Sequence, residues 1–100
     1  MIVRLAAEAE RDLERIGDWI AQNDWARAVS FVEALRDSCL GLVPFPERFP
    51  LVPRYEAYGI RHRVHGNYLI FYRVTGDEVV VIHILYGAMD YGSILFPDEA

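Results

Sequence analysis

One hundred residues, 53% apolar and 25% charged, fit one globular domain over 1–100 and exclude a disordered chain. Fifteen acidic residues outweigh ten basic ones, all arginine, and the net charge of −5 argues against non-specific nucleic-acid binding, which needs Lys and Arg to neutralise phosphates. The apolar runs are short, the start Met1-Ile2-Val3-Arg4-Leu5 lacks a signal-peptide layout, and the lone Cys39 allows no disulfide framework, so the expectation is a cytoplasmic protein with no membrane partner.

Ile2 to Leu5 reads as a short strand, and the chain from about Ala6 to Gln22 as a helix. Leu13, Ile16 and Ile20 mark one helix face with Ala9 in line, while Glu8, Arg11, Asp12, Glu14, Arg15 and Asp18 are read as its charged, outward face. Asn23-Asp24 breaks this helix and caps a second from about Trp25 to Leu42, with Ala28, Phe31, Val32, Leu35, Cys39 and Leu42 as its stripe. So short a link predicts an antiparallel helix hairpin. Pro44, Pro46, Pro50 and Pro53 then rule out helix interior or central strand and mark an extended connector. Three strands follow at Gly59–Val64, Tyr68–Val74 and Glu78–Tyr86, joined by turns at His65-Gly66-Asn67 and Thr75-Gly76-Asp77. The tail from Gly87 to Ala100 is mixed and is expected to close on a short helical turn. The class is α+β, in the order β-α-α-β-β-β, with the hairpin packed on one face of a small, mainly antiparallel sheet. The first strand is expected at a sheet edge, beside a partner that periodicity does not name.

No residue set announces catalysis. His62, His65 and His83 lack the spacing of a metal site, so no metal and no cofactor is expected. Cys39 falls on a core stripe, where a small buried hydrophobe is expected rather than a nucleophile. Glu10 and Glu14, one helical turn apart, read as solvated charges. Tyr68 and Tyr72 share a strand face and, with Arg61, Arg63 and Arg73, could stack RNA bases; cross-strand packing is the favoured reading in so acidic a chain. Surplus apolar surface is the stronger signal. Val29 and Leu40 lie off the main stripe of the second helix, Trp25 near its edge, and Trp19 at the flank of the first. Contiguous surface of that kind marks a protein-binding site, unless the connector or the tail covers it. Arg61, Arg63 and Arg73 would add charge pairs with an acidic partner.

The run Ala9…Asp12-Leu13…Ile16…Trp19-Ile20, then Ala28…Phe31-Val32…Leu35 and Cys39…Leu42, resembles the helix hairpin of ParE toxins in the ParE/RelE superfamily. So do Gly59-Ile60-Arg61, the stretch His65-Gly66-Asn67 to Tyr72-Arg73-Val74, and Val81-Ile82-His83-Ile84-Leu85-Tyr86-Gly87-Ala88-Met89-Asp90, which is similar to the family's closing strand and turn. The resemblance spans almost the whole chain. It implies a toxin of a type II toxin–antitoxin system, a ParD-like antitoxin encoded beside it, and DNA gyrase as target. Trp19, Trp25, Val29, Leu40, Arg61, Arg63 and Arg73 are then the expected antitoxin contacts, and no direct sequence-specific nucleic-acid binding is expected.

RelE-type relatives instead cleave mRNA on the ribosome with basic side chains on the sheet. Here Leu69 and Met89 stand where such relatives carry arginine, and Leu95 near the place of a tail tyrosine, so an enzyme is not expected. His83, Tyr86 and Met89 also depart from the arginine, histidine and arginine common in ParE sequences. A ribosome-dependent ribonuclease and a non-toxic interaction module are the alternatives.

Overall fold

Ile2–Leu5 forms β1, Ala7–Ala21 forms α1 and Trp25–Leu40 forms α2. After the connector and a short 3-10 turn at Glu56–Tyr58 come β2 (Arg61–His65), β3 (Tyr68–Thr75) and β4 (Glu78–Tyr86), then α3 (Tyr91–Leu95) and a last 3-10 turn at Pro97–Glu99. This computed structural model describes residues 1–99; Ala100, the end of the expected tail, lies outside the described residues.

The helix hairpin forms where the sequence permits it. The Asp24 carboxylate accepts a hydrogen bond from the Arg27 amide and so caps α2. The hairpin closes tightly because Gly17 faces Val32: a Cβ at Gly17 would stand 3.3 Å from that side chain. α2 ends at Leu40, so the expected final residue Leu42 is buried just beyond the helix rather than in it.

The sheet has the order β1-β4-β3-β2. β2–β3 and β3–β4 are antiparallel hairpins, and β1 lies at the edge, parallel to β4, with Leu5 opposite Val81. Each hairpin turns in two residues and opens on a glycine of positive φ, Gly66 at 59° and Gly76 at 57°, a conformation that glycine adopts without strain. Gly59, expected inside a strand, ends the Glu56–Tyr58 turn at φ 71°, so β2 starts two residues later, at Arg61.

One face of the sheet is covered by the helix hairpin and part of the other by the connector and the tail. On one face Leu13, Ile16, Leu35, Cys39 and Leu42 pack on Ile70, Tyr72, Val79, Val81 and Ile84. On the other, Val52 of the connector and Phe96 of the tail pack on Ile60, Phe71 and Leu85. Phe96 stacks on Tyr55 at 4.0 Å between ring centroids, which fastens the tail to the connector. Connector and tail thus bury part of the second face, and neither covers Val29 or Leu40, which stay 40% and 60% exposed.

Asp12 overturns the expectation of a solvated helix face. It is 3% exposed and points at β4. β1 ends level with Val81, so β4 runs on past its neighbour, and a bulge interrupts the β3–β4 register at Phe71/Tyr72. The amide of Ile84 donates to the Asp12 carboxylate at 2.9 Å instead of to a strand. The same carboxylate oxygen meets His83 Nδ1 at 2.7 Å, and the other oxygen accepts from Arg15 at 3.2 Å. A charged side chain is tolerated in this place because it completes the ladder where β1 stops.

Candidate functional site, a protein-binding groove

The C-terminal half of α1 leans against the end of β4 and leaves a groove of about 470 Å³. Ile16 and Trp19 form one wall, Ile84 and Leu85 the floor, and Tyr68, Tyr86 and Met89 the opposite side. Tyr68 and Tyr86 meet edge-to-face at 5.7 Å, and Phe31 of α2 packs against Tyr68 from behind at 5.6 Å. Trp19, Tyr86 and Met89 remain 67%, 44% and 45% exposed. The charged groups of the lining are Asp12, already committed to β4, and Arg15, already bonded to Asp12. The groove therefore offers aromatic and sulfur surface with one cation at its rim, the composition of a protein-binding hot spot.

The expected contacts fall on several surfaces. Trp19 belongs to this groove. Trp25, 74% exposed, and Val29 line a separate, shallower groove of about 330 Å³ between the outer sides of α1 and α2. Leu40 stands eleven residues beyond Val29 on α2, roughly 16 Å along the axis. Arg61 is consumed by the fold: its guanidinium donates to the carbonyls of Phe49 at 2.8 Å and Glu47 at 3.2 Å. Arg63 likewise donates to the Ser38 carbonyl at 2.7 Å and lies over the Phe49 ring. These two hold the connector and the end of α2 to β2 on the helix side, whereas Arg73, two residues past Phe71, sits exposed on the opposite face. The three arginines do not form one patch. Tyr86 and Met89, noted in the sequence only as departures from the family pattern, are the groove residues that sequence reasoning did not single out as contacts.

The other candidates are occupied structurally. Tyr72 is fully buried and its hydroxyl donates to the Pro46 carbonyl at 2.6 Å, so it stacks on no base. The three histidines have separate neighbours: His83 has Asp12, His65 lies 2.7 Å from the Ser38 hydroxyl, and His62 packs near Phe71 with its Nδ1 buried and without a partner. Among the described residues no three His, Cys, Asp or Glu side chains gather as metal ligands would. Burial pushes the Cys39 thiol up to about 11, against the pull of Arg36 and Arg63, which leaves it protonated and a poor nucleophile. No helix among the described residues is long and apolar enough to cross a membrane.

The fold has solved counterparts. A chain of the chromosomal ParDE toxin–antitoxin system from P. aeruginosa superposes with a TM-score of 0.74 at 20% identity, over 86% of this chain and 95% of that one. A chain of the toxin–antitoxin complex RelBE2 from Mycobacterium tuberculosis gives 0.63 at 22% identity, over 85% and 95%. No curated protein sequence matches. The family model for the ParE toxin of type II toxin–antitoxin systems, parDE, matches residues 3–91. With nearly its whole length matched and its helices and strands in the expected order, the chain belongs to the ParE toxin family of type II toxin–antitoxin systems.

Proposed function

We propose that this chain arrests growth in the cytoplasm by binding DNA gyrase, not by catalysis, and that a ParD-like antitoxin neutralises it by covering the groove between α1 and β4. The observation that carries the reading is the chemistry of that groove. Trp19, Tyr68, Tyr86 and Met89 line it with aromatic and sulfur surface, and its single cation, Arg15, is tied to Asp12. Cleavage of a phosphodiester needs cations poised for the phosphate and for the charge that develops on it. Leu69 and Met89 supply none, and the guanidiniums of Arg61 and Arg63 are spent on backbone carbonyls. An amphipathic segment, laying apolar side chains into the groove, suits what remains. Trp25, Val29 and Leu40 extend the apolar surface of the hairpin, and an antitoxin long enough to wrap α2 would reach them as well.

The test is induction in cells with and without the neighbouring gene. Growth arrest with inhibited supercoiling by purified gyrase, relieved by the neighbouring gene product, is expected. Transcripts cut in the ribosomal A site would replace this reading with a ribonuclease, and no arrest at all would leave an interaction module.

A further inference from the structure

A second groove, of about 530 Å³, opens on the face of the sheet away from the helix hairpin. Strand register builds it. Arg4 of β1 and Arg73 of β3 both stand opposite Val80 of β4, so the three form one row across the sheet. Val80 is 7% exposed and, with Ile82, supplies an apolar floor; Leu95 and Phe96 of the tail form a wall. Two interstrand spacings put the arginine Cα atoms roughly 10 Å apart.

The charges around this row are unevenly matched. Arg4 meets Glu78 through contacts of 3.3 and 3.4 Å at an exposed site, a pairing that holds it weakly. Glu8, also at the groove, is turned toward Arg11 at 3.4 Å. Arg73 has no ion-pair partner among the described residues, although Asp98 lines the same groove. An unmatched guanidinium beside a weakly held one, over an apolar floor, is complementary to carboxylates carried on an otherwise apolar chain.

We infer that this groove binds an acidic, apolar-rich extended segment of the protein partner, with one carboxylate on Arg73 and a second drawing Arg4 away from Glu78. The assignment rests on the reading that a protein partner covers this chain. It moves the charge-pairing arginines from Arg61 and Arg63, which the fold uses, to Arg73 and Arg4. An extended chain rises about 3.3 Å per residue and turns alternate side chains to one face, so acids four positions apart, about 13 Å, point the same way and fall within side-chain reach of the two guanidiniums. The apolar side chain midway between them would rest on Val80 and Ile82. The net charge of −5 favours a peptide over RNA as the anion.

The experiment titrates the full chain with a blocked peptide carrying two glutamates four positions apart, a leucine midway between them on the same face and serines at the alternate positions. The matching glutamine peptide and a short single-stranded RNA are the comparisons, and the amide signals of Val80 and Ile82 are followed by NMR. The glutamate peptide alone should move both signals. Arg73→Gln, which keeps the aliphatic stem, should weaken it about fivefold, the factor expected for one good exposed charge pair. Arg27→Gln, on the exposed first turn of α2, should change nothing, and Asp98→Asn should tighten binding by removing a repelling carboxylate. Equal affinity in Arg73→Gln, equal binding of the glutamine peptide, or tighter binding of the RNA overturns the assignment. The neighbouring gene product separates the two readings. If it fails to bind the wild-type chain, the partner reading falls; if it binds wild type and Arg73→Gln alike, only this groove does.

Discussion

Asp12→Ala should be among the most damaging single changes in this chain, although a carboxylate on a helix ordinarily faces solvent. The substitution strands the buried Ile84 amide that Asp12 accepts at 2.9 Å. An unsatisfied buried donor costs about 1–3 kcal/mol. It also removes the 2.7 Å contact with His83 from a carboxylate that is 3% exposed, and hydrogen bonds to charged groups contribute about 1.5–3 kcal/mol. The Arg15 bond adds little, because that side chain is 73% exposed. Together the loss is about 3–5 kcal/mol, a large share of the roughly 5–15 kcal/mol that holds a domain of this size folded. Asp12→Asn keeps an acceptor for Ile84 and should cost about 1–2 kcal/mol. Urea melts supply the energies, and hydrogen exchange at the Ile84 amide supplies the location. A change in Asp12→Ala of under about 0.5 kcal/mol, the range of an ordinary surface substitution, or undiminished protection at Ile84, would refute the claim that this carboxylate finishes the β4 ladder.

Leu35, fully buried between the hairpin and the sheet, should lose about 2–5 kcal/mol on Leu35→Ala in a denaturant melt. Arg54 holds φ at 76° in the turn closed by the Tyr55 amide on the Val52 carbonyl, so Arg54→Gly should raise stability by about 1 kcal/mol. Burial holds the His62 imidazole below its ordinary value of 6.5, so the folded chain resists a proton that the unfolded chain accepts. Stability from this group is present above the unfolded value and lost as pH falls through the lowered one, and His62→Leu should remove that part of the acid slope in melts taken from about pH 7 to about pH 5. Val29→Glu and Leu40→Glu should leave the circular dichroism of the free chain intact, both sites being exposed, and weaken antitoxin binding measured by calorimetry; unchanged affinity at either site removes it from the interface.

Element order and the helix-side core were legible because local patterns encode them. The 13-16-20 stripe, the Asp24 cap and the glycine turns each act within a few residues. The partner of β1 was not legible, since parallel pairing with β4 leaves no mark in either strand. Asp12 carried a signal that was available: it stands three residues after Ala9 and four before Ile16, on the buried side of α1, and only its charge argued for solvent. Strand alternation carried across the hairpins separates the three arginines. It sends Arg61 and Arg63 to the face of Tyr72, and Arg73 to the face of Phe71. The cover on the second face came from connector and tail segments that have no periodicity to read.

The pairing of β1 with β4 also has a consequence for biosynthesis. Ile2–Leu5 is made long before its partners, residues 78–81, and the Ile84 amide that Asp12 binds is later still. A nascent chain can close the helix hairpin early, but it has no sheet on which to lay Leu13, Ile16 and Leu35 until most of the chain has been made. Such distant contacts slow folding and leave apolar surface open meanwhile. The groove between α1 and β4 is formed from both ends of this delay. A translating ribosome therefore carries a chain that lacks this groove until β4 has emerged, and a partner that reads the groove can recognise only the finished fold.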